Sequence, residues 1–302
     1  MSSFRTPILF ENASLRRHFG RAATTYAQVA VLQQEVEKRL IEQLDFLEDR
    51  QPLRVLDLGC GPGRASGIMK KRWPKAQVIA MDAALPMLKE VPKQTRFWRP
   101  IQRVCADASQ LPLVDAGVDV IFSNLCLQWV NDLPATLAEF RRILKPDGLL
   151  LFSTFGPDTL LELREAYWQA GEKNPPLSPF AAIQQIGDAM IAAGFKNPVL
   201  DRELYQMTYA DVRSLMKELK AIGANDARPQ RLRGMAGKDR LNKMIAAYEK
   251  LRRNEVLPST WEVVTVMAWG PPPGVSRREM GADIASFPAD RIPIRGSGAS
   301  RE

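Results

Sequence analysis

The stretch Val55-Leu-Asp-Leu-Gly-Cys-Gly-Pro-Gly63 decides how this chain folds, because an apolar run ends there in three glycines. Val55, Leu56 and Leu58 suit a strand buried on both faces, as in a parallel sheet flanked by helices. Gly59, Gly61 and Gly63 let the backbone turn sharply and let a ligand approach with no Cβ in the way. A turn with only a folding role would satisfy the same glycines. Two details narrow the choice. The spacing is G-x-G-x-G, shorter than the G-x-G-x-x-G of a dinucleotide site, and Asp57 stands at the strand end. A carboxylate there repels a pyrophosphate and attracts an ammonium. A nicotinamide dinucleotide must contend with both features, and no G-x-x-x-x-G-K-[ST] exists to make a P-loop. A nucleoside carrying an amino acid, S-adenosylmethionine, fits better.

Working outward, apolar residues at Val29, Leu32, Val36, Leu40, Leu44 and Leu47 predict an amphipathic helix over 27–47, with Glu35 and Arg39 paired on its outer face. Beyond the glycines, 64–72 reads as a helix and Gln77 to Asp82 as a second strand. Strands follow at 101–105, 118–124 and 148–154, with a helical stripe of Leu133, Leu137, Phe140 and Leu144 capped by Asn131 or Asp132. The second half predicts a helix capped by Asp158, a helix over 183–193 stopped by Gly194, and a strand over 198–207. Helices over 211–222 and 238–253 and a strand from Trp261 to Trp269 complete it. The alternation implies a doubly wound, mostly parallel seven-stranded α/β sheet. Residues 1–50 form a helical arm or lid, 51–273 the main domain with a helical insertion at about 208–256, and 274–302 a flexible tail.

Ligands of such sheets bind beyond the carboxyl ends of the strands. Asp57, Asp82, Asp107 and Asn124 all fall there. Asp82 suits a ribose, since one carboxylate accepts from both hydroxyls. Asp107, with Ala108 beside it, suits the exocyclic amine of adenine. The backbone of Gly59, Gly61 and Gly63 suits the methionine end, which Asp57 orients directly or through water. A sulfonium methyl is already activated, so transfer depends on alignment rather than on acid or base. The single histidine, His18, is thus not required for chemistry.

With 45% hydrophobic and 25% charged residues in 302, the chain can bury a full core. No apolar run reaches the length of a membrane span, and residues 1–5 lack a secretory leader, so a cytoplasmic protein is expected. Cys60, Cys105 and Cys126 are far apart and read as buried hydrophobes, with no metal site. The net charge of +8 favours an acidic partner, whether nucleic acid, membrane headgroups or an acidic protein, and does not by itself choose among them. The basic residues lack the interleaved aromatics of a nucleic-acid binder, and the group from Arg228 to Arg233 is the candidate docking segment.

The glycine turn, Asp82, Asp107 and Lys145-Pro-Asp-Gly148 resemble class I S-adenosylmethionine-dependent methyltransferases, which are Rossmann-like. More specifically, Phe19-Gly-Arg-Ala-Ala-Thr-Thr-Tyr26, Ser123-Asn-Leu-Cys-Leu-Gln-Trp129, Phe152 to Arg164 and Leu219-Lys-Ala-Ile-Gly-Ala224 resemble the malonyl-acyl-carrier-protein O-methyltransferases of biotin synthesis. The resemblance implies methylation of the free malonyl carboxylate on acyl carrier protein, or on malonyl-coenzyme A, by a monomer that binds neither nucleic acid nor membrane. It implies Tyr26, Gln128, Trp129 and Phe155 as substrate-pocket residues. Asp147 replaces a usual glycine, and Met267 stands where relatives often carry histidine. A quinone methyltransferase, or a methyltransferase-like assembly factor acting on a protein of respiratory complex I, remains an alternative.

Overall fold

The computed structural model describes residues 10–47, 50–172, 175–222, 238–272, 277–279 and 282–284. The arm forms α1 (Asn12–Ala22), a single turn α2 (Tyr26–Val29) and α3 (Val31–Glu42), which tightens into a 3-10 segment, Gln43–Leu47. The helix expected over 27–47 is therefore interrupted. Ala30 leaves helical geometry (φ −82°, ψ 54°) and lets the chain bend around the core.

The main domain follows as β1 (Arg54–Leu58), α4 (Arg64–Arg72), β2 (Gln77–Asp82), α5 (Leu85–Glu90), β3 (Gln102–Cys105), β4 (Val118–Ser123), α6 (Leu133–Ile143) and β5 (Leu144–Phe155). After α7 (Leu161–Gln169) and α8 (Ile183–Ala192) come β6 (Lys196–Tyr209), α9 (Val212–Ala221), α10 (Lys238–Glu249) and β7 (Leu257–Trp269). The sheet order is β3-β2-β1-β4-β5-β7-β6. β1 to β5 pair in parallel, and β7 runs antiparallel to both β5 and β6. Within the segment read as a tail, β8 (Arg277–Glu279) pairs antiparallel with β9 (Ala282–Ile284).

Two apolar layers flank the sheet. Leu137, Phe140 and Ile143 of α6 and Ile186 and Met190 of α8 cover one face, and Leu40 and Leu44 of the arm with Ala65 and Met69 of α4 cover the other. Both faces of β1 are thus buried, as its unbroken apolar run requires. A third cluster joins α7, α9 and α10 to β7 through Leu163, Leu215, Tyr248 and Trp261.

Local details refine the sequence expectations. Of the two candidates, Asp132 caps α6 by accepting from the Ala135 N–H at 2.9 Å, and Asn131 bonds elsewhere. Asp158 does not cap α7, because Leu160 enters that helix in the left-handed region (φ 58°) and Asp158 pairs instead with Arg202. Cys105 is exposed rather than buried, because it ends an edge strand with one open flank. Asp147 takes the left-handed turn conformation (φ 53°) that a glycine would otherwise supply.

Candidate active site

The strand order reverses between β1 and β4, the switch point at which doubly wound sheets bind ligands. A cavity of about 300 Å³ opens there, bounded by Gly59, Gly61, Asp82, Asp107, Ala108 and Asn124. That size lies at the lower end of small-molecule sites. Its floor depends on glycine. A Cβ on Gly59 (φ +65°) would lie 2.3 Å from Cys126 Sγ, whereas one on Gly61 would point into the cavity with only Tyr26 Cε1 nearby, at 4.0 Å.

Asp82 binds the turn to the next loop. One carboxylate oxygen accepts from the Gly61 N–H at 3.0 Å and the other from the Ala84 N–H at 2.7 Å. A carboxylate has about four acceptor positions, so two remain for a ligand. Burial raises its pKa, and the two amides oppose that rise. Asp57 lies elsewhere. It is 2% exposed, accepts from Ser66 Oγ of α4 and does not line the cavity. Burial raises its pKa to about 7. It braces the glycine turn from beneath, and so does Gly63, whose φ of +81° starts α4.

Asn124 is locked by Ser153 Oγ, which donates to its Oδ1 at 2.8 Å, while its Nδ2 donates to the Gln33 carbonyl at 2.9 Å. This ties α3 to the end of β4. Asp107 accepts from Ser109 and, across the cavity, from Asn12 Nδ2 at 2.9 Å; Arg16 stands 3.6 Å away.

Of the four residues implied for the substrate pocket, the structure brings two to the cavity. Tyr26 faces it, and burial with the nearby Asp82 and Glu37 raises the phenol pKa, so Tyr26 is a neutral donor. Trp129 forms a wall, held edge-on by Phe10 at 5.5 Å and Phe19 at 5.6 Å. Gln128 and Phe155 do not line it. The 3-10 turn Leu127–Trp129 points Gln128 inward, where it donates to the Leu125 carbonyl at 2.7 Å and accepts from Thr154. Phe155 is 4% exposed and packs on Phe180 and Trp261. Met267 packs in the sheet layer beside the β1 face and lies off the cavity.

Sequence reasoning missed the cavity's upper wall, which α1 supplies through Asn12, Leu15, Arg16 and Phe19. The spacing of Leu15, Phe19 and Ala22 was the available signal. Asn131 fastens this wall by accepting from the Phe10 N–H at 2.8 Å and donating to the Phe10 carbonyl at 3.1 Å. Among the described residues no cluster of potential metal ligands occurs.

The chain matches a methyltransferase-domain family over residues 56–152. It is 53% identical to a malonyl-[acyl-carrier protein] O-methyltransferase of Xylella fastidiosa, covering 95% of this chain and 97% of the relative. A protein of the same name from Gallionella capsiferriformans is 43% identical over 89% of this chain and 94% of its own. Among solved structures, the YcgJ protein of Bacillus subtilis superimposes with a TM-score of 0.55 at 16% identity, covering 77% of this chain and 98% of the other. That last likeness concerns the fold. Sheet order, glycine floor and the Asp82 latch, with the domain match, define a class I S-adenosylmethionine-dependent methyltransferase. Near end-to-end identity goes further: the chain belongs to the malonyl-[acyl-carrier protein] O-methyltransferase family.

Proposed function

We propose that this chain transfers a methyl group from S-adenosylmethionine to the free carboxylate of a malonyl thioester on acyl carrier protein, an early step of biotin synthesis. The observation that carries this reading is the 53% identity, over nearly both full lengths, to a relative of that name.

The cavity fits the methyl donor, because the glycine floor leaves room where a Cβ would stand and Asp82 keeps free acceptor positions. When bound, S-adenosylmethionine supplies a methyl group activated on a sulfonium. Asp82 would hold the ribose, Asp107 and Ala108 the adenine, and the Gly59–Gly61 backbone with Asn124 the amino-acid end. Asp57 would act through the turn it supports. The acceptor needs no general base, since a malonyl carboxylate is ionised at neutral pH and attacks directly. The new O–C bond forms as the S–C bond breaks, and the electron pair stays on sulfur. Tyr26 would donate to the acceptor carboxylate, and Trp129 with Phe10 and Phe19 would exclude water. A cytoplasmic monomer belongs to the same reading. The basic group Arg228 to Arg233, considered for carrier docking, lies outside the described residues.

Incubation with methyl-labelled S-adenosylmethionine and malonyl-acyl carrier protein, malonyl-coenzyme A or free malonate tests this. Label is expected on the thioesters as a base-labile methyl ester. Absence of label from both thioesters would sink the proposal.

A further inference from the structure

A thioester delivered on a carrier enters the cavity at the end of a flexible arm, so the carrier must rest close to the cavity mouth. The mouth is roofed by α1, and the chemistry of α1 is two-sided. At about 3.6 residues per turn, Asn12, Leu15, Phe19 and Ala22 share the inner face, and Arg17 and Arg21 fall together on the outer one. Both arginines are exposed, no residue of α1 is acidic, and neither arginine has an acidic partner among the described residues.

Helix α5 extends this surface. Gly20 of α1 packs so close to Pro86 that an added Cβ would lie 3.2 Å from its ring, which places Leu85 and Lys89 alongside the arm. Leu85 is 54% exposed, and Lys89 is exposed without an ion pair among the described residues. The two neighbouring helices thus carry one exposed apolar side chain and three exposed cations without acidic partners among the described residues. Elsewhere Arg39, Arg64, Arg72, Arg142, Arg202 and Arg252 pair with acidic side chains.

We infer that the outer face of α1, with Leu85 and Lys89 of α5, is the surface on which an acidic acyl carrier protein docks. The inference rests on the carrier-linked substrate proposed above. Charge complementarity selects the partner, and position selects this patch over a rival. Arg96, Phe97, Trp98 and Arg99 make a second exposed basic and aromatic patch, with Phe97 88% exposed. That patch immediately precedes β3, so it sits at the amino ends of the strands, away from the cavity.

The test is steady-state kinetics with malonyl-loaded acyl carrier protein on Arg17→Glu/Arg21→Glu, with Arg96→Glu/Arg99→Glu as a charge-matched control. The α1 pair should raise KM at least tenfold while kcat and the Kd for S-adenosylmethionine stay within twofold, and the control should raise KM less than threefold. Leu85→Ala should raise KM several-fold without changing the charge. A KM within twofold of wild type for the α1 pair, or an equal rise in the control, would overturn the inference. A wild-type enzyme that methylates no carrier-linked malonyl group would instead refute the proposed function, and the docking assignment would fall with it.

Discussion

Asp82 holds the Gly61 and Ala84 amides at once, so the turn and the following loop reach the cavity as one unit fixed by one carboxylate. Asp82→Ala removes the ribose acceptor and that clamp together. Charge-assisted hydrogen bonds contribute about 1.5 to 3 kcal/mol each, so affinity for S-adenosylmethionine should fall at least tenfold by calorimetry, and an unchanged Kd would remove Asp82 from the ribose site. Asp57 calls for a different experiment. Burial brings its pKa to about 7, and Glu37, paired with Arg64, is raised by burial to about 7 as well. Both groups ionise near pH 4 in an unfolded chain. Between those values the folded state keeps protons that the unfolded state has lost, so this contribution is fully present below about pH 4 and disappears as pH rises through about 7. Asp57→Asn should therefore flatten the decline in thermal midpoint between about pH 4 and 7. An unaltered slope would show that Asp57 does not titrate there.

Elements whose partners are near in sequence were legible, and the arm was legible only in part. The run from β1 through α4 to β2 carries its own instructions: an apolar strand, glycines, then Ala65, Met69 and a basic last turn. α1 lacks such a pattern, because Asn12 and Arg16, though exposed, lie on the face that lines the cavity, and polar residues on that face disguise the period. Phe155 ends β5 and Gln128 lies in the turn that follows β4, close to where their sequence positions put them. Only the 3-10 turn after Cys126 and the packing of Phe180 and Trp261 determine that they face inward. The arm also depends on a contact across 121 residues, the two-way bridge between Asn131 and the Phe10 backbone, which no local pattern announces. Two such bonds contribute about 1 kcal/mol each, so Asn131→Ala should increase the population of undocked arm roughly tenfold or more. Limited trypsin digestion would read this as faster cleavage at Arg16, Arg17 and Arg21 with little change in the global melting temperature. Equal cleavage rates would show that Asn131 does not hold the arm.

Across the whole molecule, the antiparallel pair β6 and β7 must be joined to the parallel half that carries the cavity, and the junction is electrostatic as well as apolar. Glu262 of β7 is only 2% exposed, yet it accepts from Arg202 Nε of β6 at 2.5 Å and from the Asp158 N–H beyond β5 at 2.6 Å. Three chain segments thus converge on one buried carboxylate. Gly156 is glycine for the same reason, since a Cβ there would lie 2.3 Å from Glu262 Cδ. Breaking a buried pair costs more than the pair contributes, because the charge left behind has lost both water and partner. Arg202→Met should lower the urea midpoint, though by less than the loss of a fully buried pair would, because the Arg202 side chain is 41% exposed. Adding Glu262→Met, which replaces the whole pair with apolar groups, should restore much of that loss despite carrying the further substitution. A single variant with the wild-type midpoint, or a double variant no better than the single, would show that the Arg202–Glu262 pair adds nothing to the β5–β7 ladder and its packing.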